Sequence, residues 1–236
     1  MNKRKDPMGQ AIADYNCTGR AARLQVFSPM FDNDVMPLEV LFRGYEDMPA
    51  LERTALDMAK GRVLDVGAGA GCHSLILQER GMDVTAIDIS PLSVETMKAR
   101  GVKQVIEQDF FTLTGQYDTV LMLMNGIGIV GRLKRMPEFF ACLDHILSPG
   151  GQVLCDSSDI SYLYEDTNGL IQLPDDVTYY GEHAFTMKYK DIKGDPFPWL
   201  YVDATTLRKA AQNCGYNVEV VAEGNHYDYL ARITRL

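Results

Sequence analysis

Three glycines alternate with alanines in the stretch Gly67-Ala68-Gly69-Ala70-Gly71, directly after the apolar run Arg62–Val66. Glycine has no Cβ, so the backbone of such a turn can approach a ligand closely and adopt a positive φ at low cost. A helical pattern begins immediately afterwards at Cys72, and the first N–H groups of a helix have no partner within it. The turn therefore predicts a binding site for an anionic or polar group of a ligand.

The spacing of these glycines separates the turn from two other glycine-rich loops. A dinucleotide fingerprint requires G-x-G-x-x-G, and Cys72 occupies the place of its third glycine. A phosphate-binding P-loop requires G-x-x-x-x-G-K-[ST], whereas the nearest charged residues after this turn are Glu79 and Arg80. The observed G-x-G-x-G spacing therefore disfavours both of these loops.

Acidic residues recur near the turn and at the ends of apolar runs. Asp65 stands two positions before Gly67, Asp88 ends the second run, and Asp109 follows the third with Phe110 beside it. Ionised carboxylates only accept hydrogen bonds, which suits an ammonium group or a ribose diol. In this order and spacing the features resemble the motifs of the class I S-adenosylmethionine-dependent methyltransferases.

The resemblance implies a site for S-adenosylmethionine as the cofactor. In that family the acid that ends the second strand, here Asp88, holds the ribose hydroxyls. The acid after the third strand, here Asp109, contacts the adenine amino group. The run Leu147-Ser148-Pro149-Gly150-Gly151 also resembles a late motif of the family. The residues assigned to the cofactor in this way are Asp65, Gly67, Gly69, Gly71, Asp88, Ile89, Asp109, Phe110 and Met124, and no metal is expected.

A parallel sheet is needed to bring these residues together. From Gly61 onward, apolar runs alternate with amphipathic helical patterns, which predicts β-α-β units. The predicted strands are Arg62–Val66, Asp83–Ile87 ending at Asp88, Val102–Glu107, Tyr117–Met124, Gln152–Asp156, Asn217–Ala222 and Tyr227–Thr234. The predicted helices cover 73–81, 91–100, 133–147 and 204–213, with Ser90-Pro91 as a helix start and Ser148–Gly151 as a turn. We expect an α/β fold with a Rossmann-like seven-stranded, mostly parallel sheet and helices on both faces.

Two segments do not follow this alternation of strands and helices. Helical patterns around Gln10–Tyr15, Leu38–Phe42 and Pro49–Lys60 predict an N-terminal helical extension, and alternating aromatic residues predict an inserted β-hairpin after strand five, centred near Val177–Tyr189. We expect one domain, with a helical cap at 1–60, a cofactor-binding half at 61–156, the hairpin or lid at 157–200, and a helix with two strands at 201–236. The cap and the hairpin are expected to cover the open edge of the sheet, where functional loops lie.

For the methyl acceptor, the sequence offers single candidate residues and no recognisable motif. Methyl transfer is an in-line displacement at an activated carbon, so positioning alone can supply roughly 7–11 kcal/mol, and a base is needed only if the acceptor must lose a proton. Asn125, in the loop after strand four, either orients the acceptor or is a turn residue. His183 and His226 are candidate bases that have structural interpretations as well. His73 is expected to cap or pack, and Arg43 to pair with a substrate anion or a carboxylate. Aromatic candidates for the pocket wall are Tyr15, Phe42, Tyr45, Tyr179, Tyr180 and Trp199.

Composition restricts the partners and the location. The formal net charge is −9, and the basic start Lys3–Lys5 reads as a short solvated tail, so nucleic acid is not an expected partner. The five cysteines show no metal-ligand spacing, which indicates free thiols in a reducing cytoplasm. No signal peptide and no apolar run long enough to span a membrane is found, so a cytoplasmic protein without a membrane partner is expected.

The expected function is methyl transfer from S-adenosylmethionine to a small-molecule acceptor. The acceptor, its nucleophilic atom and the oligomeric state are left open by the sequence. One alternative is a non-catalytic protein that binds the cofactor, because the motifs report binding and not turnover. Another is an NAD-dependent oxidoreductase with Asp88 on the ribose, which the glycine spacing and Asp109 disfavour.

Overall fold

The computed structural model describes residues 3–166, 168, 170–173 and 178–236. Its strands are β1 Leu24–Phe27, β2 Asp34–Met36, β3 Arg62–Val66, β4 Asp83–Asp88, β5 Gln104–Glu107, β6 Tyr117–Met122, β7 Leu147–Ser158, β8 Glu182–Tyr189, β9 Ile192–Lys193, β10 Phe197–Leu200, β11 Tyr216–Glu223 and β12 Asp228–Arg235. Its α-helices are α1 Pro7–Thr18, α2 Ala50–Met58, α3 Cys72–Glu79, α4 Pro91–Arg100, α5 Met136–Ile146 and α6 Ala204–Gln212. Short 3₁₀ turns include Phe110–Thr112, Gly126–Val130 and Leu133–Arg135.

Seven strands form one sheet in the order β11-β12-β7-β6-β3-β4-β5. Strands β3 to β7 pair in parallel, while β12 is antiparallel to β7 and β11 is antiparallel to β12. The seven-stranded, mostly parallel sheet expected from the apolar runs is therefore confirmed. Strand order reverses direction between β3 and β6, and ligands of such sheets bind at the carboxyl ends of the strands around that point.

Alternating residues of the central strands enter two separate cores. Leu64 and Val120 pack with Phe139 and Leu143 of α5, whereas Val63 and Leu121 belong to a second cluster. That second cluster contains Leu51 and Ala55 of α2 and Leu77 of α3. Because successive side chains of a strand point to opposite faces, the helices cover both faces of the sheet, as expected.

The N-terminal sixty residues are not helical throughout, which corrects the sequence-based expectation. Strands β1 and β2 lie between α1 and α2, and they belong to a small antiparallel sheet with the order β10-β8-β1-β2. Leu24 is opposite Tyr189, and both side chains are fully buried. One partner of β1, the strand β8, is remote in sequence, and its local partner β2 is only three residues long, so these strands have a weak local signal.

The inserted hairpin is present as β8 and β9, with the reversal at Lys190, whose φ is +52°. Residues 174–177, including the predicted start at Val177, lie outside the described residues. β8 also pairs with β10 and β1, so the insertion and the N-terminal segment share one sheet. The turn expected at Ser148–Gly151 lies within the bounds of β7, where the register against β6 shifts between Tyr117 and Thr119.

Helix α1 is fastened to the cofactor-binding half by its first turn. Asp6 caps the helix by accepting a hydrogen bond from the N–H of Gly9 at 2.8 Å, and its other oxygen accepts the hydroxyl of Ser90 at 2.5 Å. Ser90 in turn caps α4 through the N–H of Ser93. Lys3–Lys5 are exposed, as expected for a solvated start, but Asp6 is 1% exposed and structural. In the part of the chain that the structure describes, no helix combines the length and apolarity of a membrane span.

Candidate active site

The three glycines of the turn after β3 have different structural roles. Gly67, Gly69 and Gly71 have φ values of +65°, +57° and +81°, a region that side chains rarely adopt. A Cβ placed on Gly67 would meet no atom within 4 Å, so open space lies in front of its backbone. A Cβ on Gly71 would lie 3.0 Å from Val102 and 3.1 Å from Met97. Gly67 thus leaves room for a ligand, whereas Gly71 lets α3 approach its neighbours.

Asp65 supports the turn from beneath. It is 2% exposed and accepts the hydroxyl of Ser74 at 2.6 Å, in the first turn of α3. Burial raises the pKa of Asp65 despite that hydrogen bond and the nearby charge of His73. One oxygen of its carboxylate is therefore held by a hydrogen bond within the protein.

Asp88 closes the opposite side of the turn at the end of β4. One oxygen accepts the N–H of Gly69 at 2.9 Å and the other accepts the N–H of Ser90 at 2.8 Å. Burial raises the pKa of Asp88 to about 6, although both hydrogen bonds favour the ionised form. Each carboxylate oxygen retains an unused lone pair, which fits a ribose diol. Ile89 follows directly and is 46% exposed, so an apolar side chain lies next to Asp88 in the sequence.

The residues after β5 separate into an exposed acid and a buried ring. Asp109 is exposed and accepts the N–H of Phe111 at 2.9 Å, which caps the short turn Phe110–Thr112. Phe110 is 3% exposed and its ring centroid lies 5.6 Å from that of Phe139. The structure therefore places Asp109 where a ligand can reach it and Phe110 in the main core.

The loop after β6 holds two consecutive residues in the left-handed region. Met124 and Asn125 have φ values of +64° and +57°, which is costly for residues with side chains and occurs preferentially at functional sites. Asp156, at the end of β7, accepts the N–H of Gly126 at 3.2 Å and so fixes this loop. Burial raises the pKa of Asp156 to about 6. Met124 packs with residues of the N-terminal segment.

The N-terminal segment lies directly over the glycine turn. A Cβ on Gly69 would lie 4.0 Å from both Ile12 and Leu41. Ala70 shares a buried cluster with Ile12, Leu24 and Leu41. The N-terminal residues packed around the glycine turn therefore come from α1, β1 and the turn Leu38–Leu41.

A buried ion-pair network joins the N-terminal segment 1–60, through Arg43 and Glu52, to α3. Glu52 of α2 accepts the Nε2–H of His73 at 2.8 Å and pairs with the guanidinium of Arg43. Burial opposes the ionisation of Glu52, but the hydrogen bonds from His73 and Arg43 outweigh it, so the pKa of Glu52 is lowered. For His73 burial acts against the charge, yet Glu52 and Asp65 raise its pKa. Arg43 thus pairs with a buried carboxylate, and His73 packs beside the turn.

The remaining candidates are separated by the fold. Asn125 and His183 both lie beside β10. The Asn125 amide donates to the Leu200 carbonyl, and His183 is opposite Trp199 in the pairing of β8 with β10. His226 is exposed, and its backbone N–H donates to Asp228 in the turn before β12. The structure thus brings Asn125 and His183 to one region and leaves His226 at the surface.

Three acids of this region were not singled out from the sequence. Asp6 does carry a local signal, because an acid directly before Pro7 is a typical helix start. Glu52 and Asp156 carry none, since their partners come from other elements of the fold.

Without cofactor, the free energy of unfolding is expected to fall by about 1–3 kcal/mol between pH 5 and pH 8. The pKa values of Asp88 and Asp156 are raised to about 6, and that of His73 is raised above its usual value. The pKa of His183 is lowered by burial, so His183 acts in the opposite direction and offsets the part due to His73, which leaves the two carboxyl groups to set the sign. Groups that hold protons more tightly when folded stabilise the fold below their unfolded pKa, and that stability is lost as the pH rises through their folded pKa. Urea unfolding at several pH values measures this slope.

The Asp156→Asn variant is expected to flatten that slope between pH 5 and pH 6.5. A wild-type stability that increases from pH 5 to pH 8 would contradict the assignment.

Comparison with known proteins agrees with this geometry. A family model described as a methyltransferase domain matches residues 41–221. A crystal structure of a SAM-dependent methyltransferase from Bacteroides fragilis, in complex with S-adenosyl-L-homocysteine, is 54% identical, with a TM-score of 0.95 over 100% of this chain and 97% of that one.

Curated relatives match over shorter stretches. The putative methyltransferase YqeM of Bacillus subtilis is 30% identical over 130 residues, which is 51% of this chain and 52% of the relative. The ubiquinone biosynthesis O-methyltransferase of Psychrobacter cryohalolentis is 31% identical over 172 residues, which is 64% of this chain and 62% of the relative. The chain thus spans about half to three fifths of the length of these relatives. On the evidence of the domain match, the site geometry and the Bacteroides structure, the chain belongs to the class I S-adenosylmethionine-dependent methyltransferases.

Proposed function

We propose that this protein transfers a methyl group from S-adenosylmethionine to a small-molecule acceptor. The observation that carries the proposal is the pairing of an open glycine turn with the Asp88 carboxylate at the carboxyl edge of the sheet. The neighbour of 54% identity binds S-adenosylhomocysteine, the product of such a transfer, and its structure is nearly superimposable on this one.

The described residues fit the cofactor group by group. The backbone at Gly67 faces open space, Asp88 offers acceptors for the ribose hydroxyls, and exposed Ile89 and Asp109 suit the adenine. When bound, S-adenosylmethionine supplies a methyl group activated by its sulfonium charge. The carboxylates of Asp65, Asp88 and Asp156 make this edge electronegative, which favours that cation. The chain then needs to hold the acceptor in line with the methyl carbon.

We infer that segments 1–60 and 157–200 act together as the cover of the reaction chamber. Support comes from the pairing of β1 with β8, which joins the two segments in one small sheet, and from Ile12 and Leu41 against the glycine turn. Such a cover would exclude water from the sulfonium and enclose a small acceptor better than a polymer. The net charge of −9 likewise disfavours nucleic acid. The five free cysteines support a reducing, cytoplasmic location.

Calorimetric titration with S-adenosylmethionine, S-adenosylhomocysteine and NAD tests the proposal first. We expect the two sulfur compounds to bind and NAD not to bind. A panel of hydroxyl- and amine-bearing compounds is then screened for formation of S-adenosylhomocysteine. Binding of NAD alone, or of none of the three, would overturn the proposal. If the cofactor bound but was never consumed in the screen, the protein would bind S-adenosylmethionine without catalysing methyl transfer.

A further inference from the structure

His183 carries an unused hydrogen-bond acceptor inside the protein. Its Nε2 lies 2.9 Å from the carbonyl oxygen of Tyr180, which can only accept, so Nε2 bears the hydrogen and Nδ1 presents its lone pair. The residue is 6% exposed, and Nδ1 has no partner among the described residues. Burial lowers the pKa of His183, so the ring is neutral at pH 7. A buried acceptor without a donor costs about 1–3 kcal/mol, which a donor on a ligand would recover.

Asn125 presents a second acceptor of the same kind. Its Nδ2 donates to the carbonyl oxygen of Leu200 at 3.3 Å, which identifies Oδ1 as the free end of the amide. That Oδ1 is buried and has no hydrogen-bond partner in the described part of the chain. The strained backbone of Asn125 therefore holds an unsatisfied oxygen at the carboxyl end of β6.

Strand β10 connects the two acceptors. Leu200 receives the Asn125 amide, and its neighbour Trp199 is directly opposite His183 in the β8–β10 register. Side chains in such a pair share one face and lie about 5 Å apart. The Trp199 indole reaches the loop after β6, since a Cβ on Gly128 would lie 2.2 Å from its Nε1. Both acceptors thus lie where the small sheet meets the carboxyl edge of the large one.

Aromatic rings form the surroundings of the His183 imidazole. Ring centroids lie 4.6 Å away for Phe31, 5.9 Å for Tyr201 and 6.4 Å for Phe185. Phe31 belongs to the connection between β1 and β2, whose neighbour Met30 is 53% exposed. Flat, weakly polar walls favour a flat ring, which stacks or meets them edge-on. A ring-bearing methyl acceptor would reach Nδ1 of His183 beside the Phe31 ring, or by displacing that ring.

Resting on the proposed methyl transfer, we propose that His183 accepts the hydroxyl or amine hydrogen of a ring-bearing methyl acceptor and takes up that proton at Nδ1, and that Oδ1 of Asn125 accepts a second hydrogen of the same molecule. Because the two unpaired atoms, Nδ1 of His183 and Oδ1 of Asn125, only accept, they select a nucleophile that still carries a hydrogen. A thioether or a tertiary amine offers no such hydrogen and would leave both acceptors unpaired.

The step balances without a further reactant. The lone pair of the acceptor oxygen or nitrogen forms the bond to the methyl carbon, and the carbon–sulfur bond breaks with its electron pair remaining on sulfur. The O–H or N–H proton passes to Nδ1, and the resulting imidazolium keeps its Nε2–H on the Tyr180 carbonyl. The proton leaves to solvent when the product departs, which restores the neutral ring.

Fluorescence of Trp199, the single tryptophan of the chain, reports binding without requiring turnover. Phenol and its methyl ether anisole are titrated into protein saturated with S-adenosylhomocysteine, and again without it. We expect phenol to bind about tenfold more tightly than anisole, which corresponds to about 1.4 kcal/mol. Aniline against N,N-dimethylaniline makes the same comparison for nitrogen, so the two pairs distinguish a hydroxyl from an amine acceptor.

Two variants test the assignment to these residues. His183→Phe removes the acceptor, and Asn125→Gly removes the amide while tolerating the positive φ. We expect His183→Phe to reduce the preference for the hydrogen-bearing probe to within about threefold in both pairs, and Asn125→Gly to do so for aniline, which has two hydrogens to donate. His145→Phe, an exposed control, is expected to keep the preference. If His183→Phe fails to fold, Asn125→Gly carries the test. A wild-type protein without the preference, or variants that retain it, would overturn this inference. Failure of S-adenosylhomocysteine to bind in calorimetry would instead count against the proposed function.

Discussion

Glu52→Ala is expected to lower the free energy of unfolding by about 3–5 kcal/mol, the typical cost of removing one partner from a buried ion pair. Glu52 is 5% exposed and is the shared acceptor of Arg43 and His73, so its loss leaves both groups without their carboxylate. Urea unfolding at pH 7, followed by circular dichroism, measures the change. Glu52→Gln keeps an acceptor oxygen and is expected to cost less.

The matched control is Asp57→Ala, which removes the carboxylate of a surface ion pair from the same helix. Asp57 lies 3.0 Å from Arg80, and the Asp57 side chain is 54% exposed. Exposed pairs contribute about 0–1 kcal/mol, so this variant is expected to be nearly neutral. If the two alanine variants had equal stabilities, Glu52 would not be the point at which the cap is fastened to α3.

Asp88→Ala is expected to weaken binding of S-adenosylhomocysteine about tenfold to a hundredfold, because charge-assisted hydrogen bonds contribute roughly 1.5–3 kcal/mol. The carboxylate also holds the N–H groups of Gly69 and Ser90, so its removal loosens the turn that the ligand contacts. Isothermal titration calorimetry on the folded variant measures the change in affinity.

Asp83→Ala removes the same charge from the opposite end of the same strand and serves as its control. We expect this variant to bind like the wild type. An Asp88→Ala protein that is folded and binds with unchanged affinity would show that the ribose is held elsewhere.

The elements predicted well from the sequence are those whose signal is local. The strand Arg62–Val66 and the helix start at Ser90-Pro91 were found because buried parallel strands are continuously apolar and helix caps are short patterns. Strand β1 is not predicted because it is only four residues long and one of its two partners, β8, lies far along the chain.

The same distinction runs through the candidate site. The glycine turn and Asp88 depend on backbone conformation and strand ends, which the sequence pattern encodes. The burial of Phe110 and the partners of Glu52 depend on packing between elements that are distant in sequence. A hydrogen-bond acceptor without a partner, such as Nδ1 of His183, can be recognised only when the positions of all neighbouring donors are known.

The pairing of β1 with β8 also sets an order of events during synthesis. Leu24 leaves the ribosome long before its partner Tyr189, and at typical elongation rates the delay is on the order of ten to thirty seconds. Strands β3 to β7 have all emerged in that interval and can condense, whereas β1 lacks its partner β8 until that strand has been made. The cofactor-binding half is therefore expected to form first and its cover last. Active-site lids are drawn from the less stable parts of a fold, which suits a cover that must admit and release small molecules at every turnover.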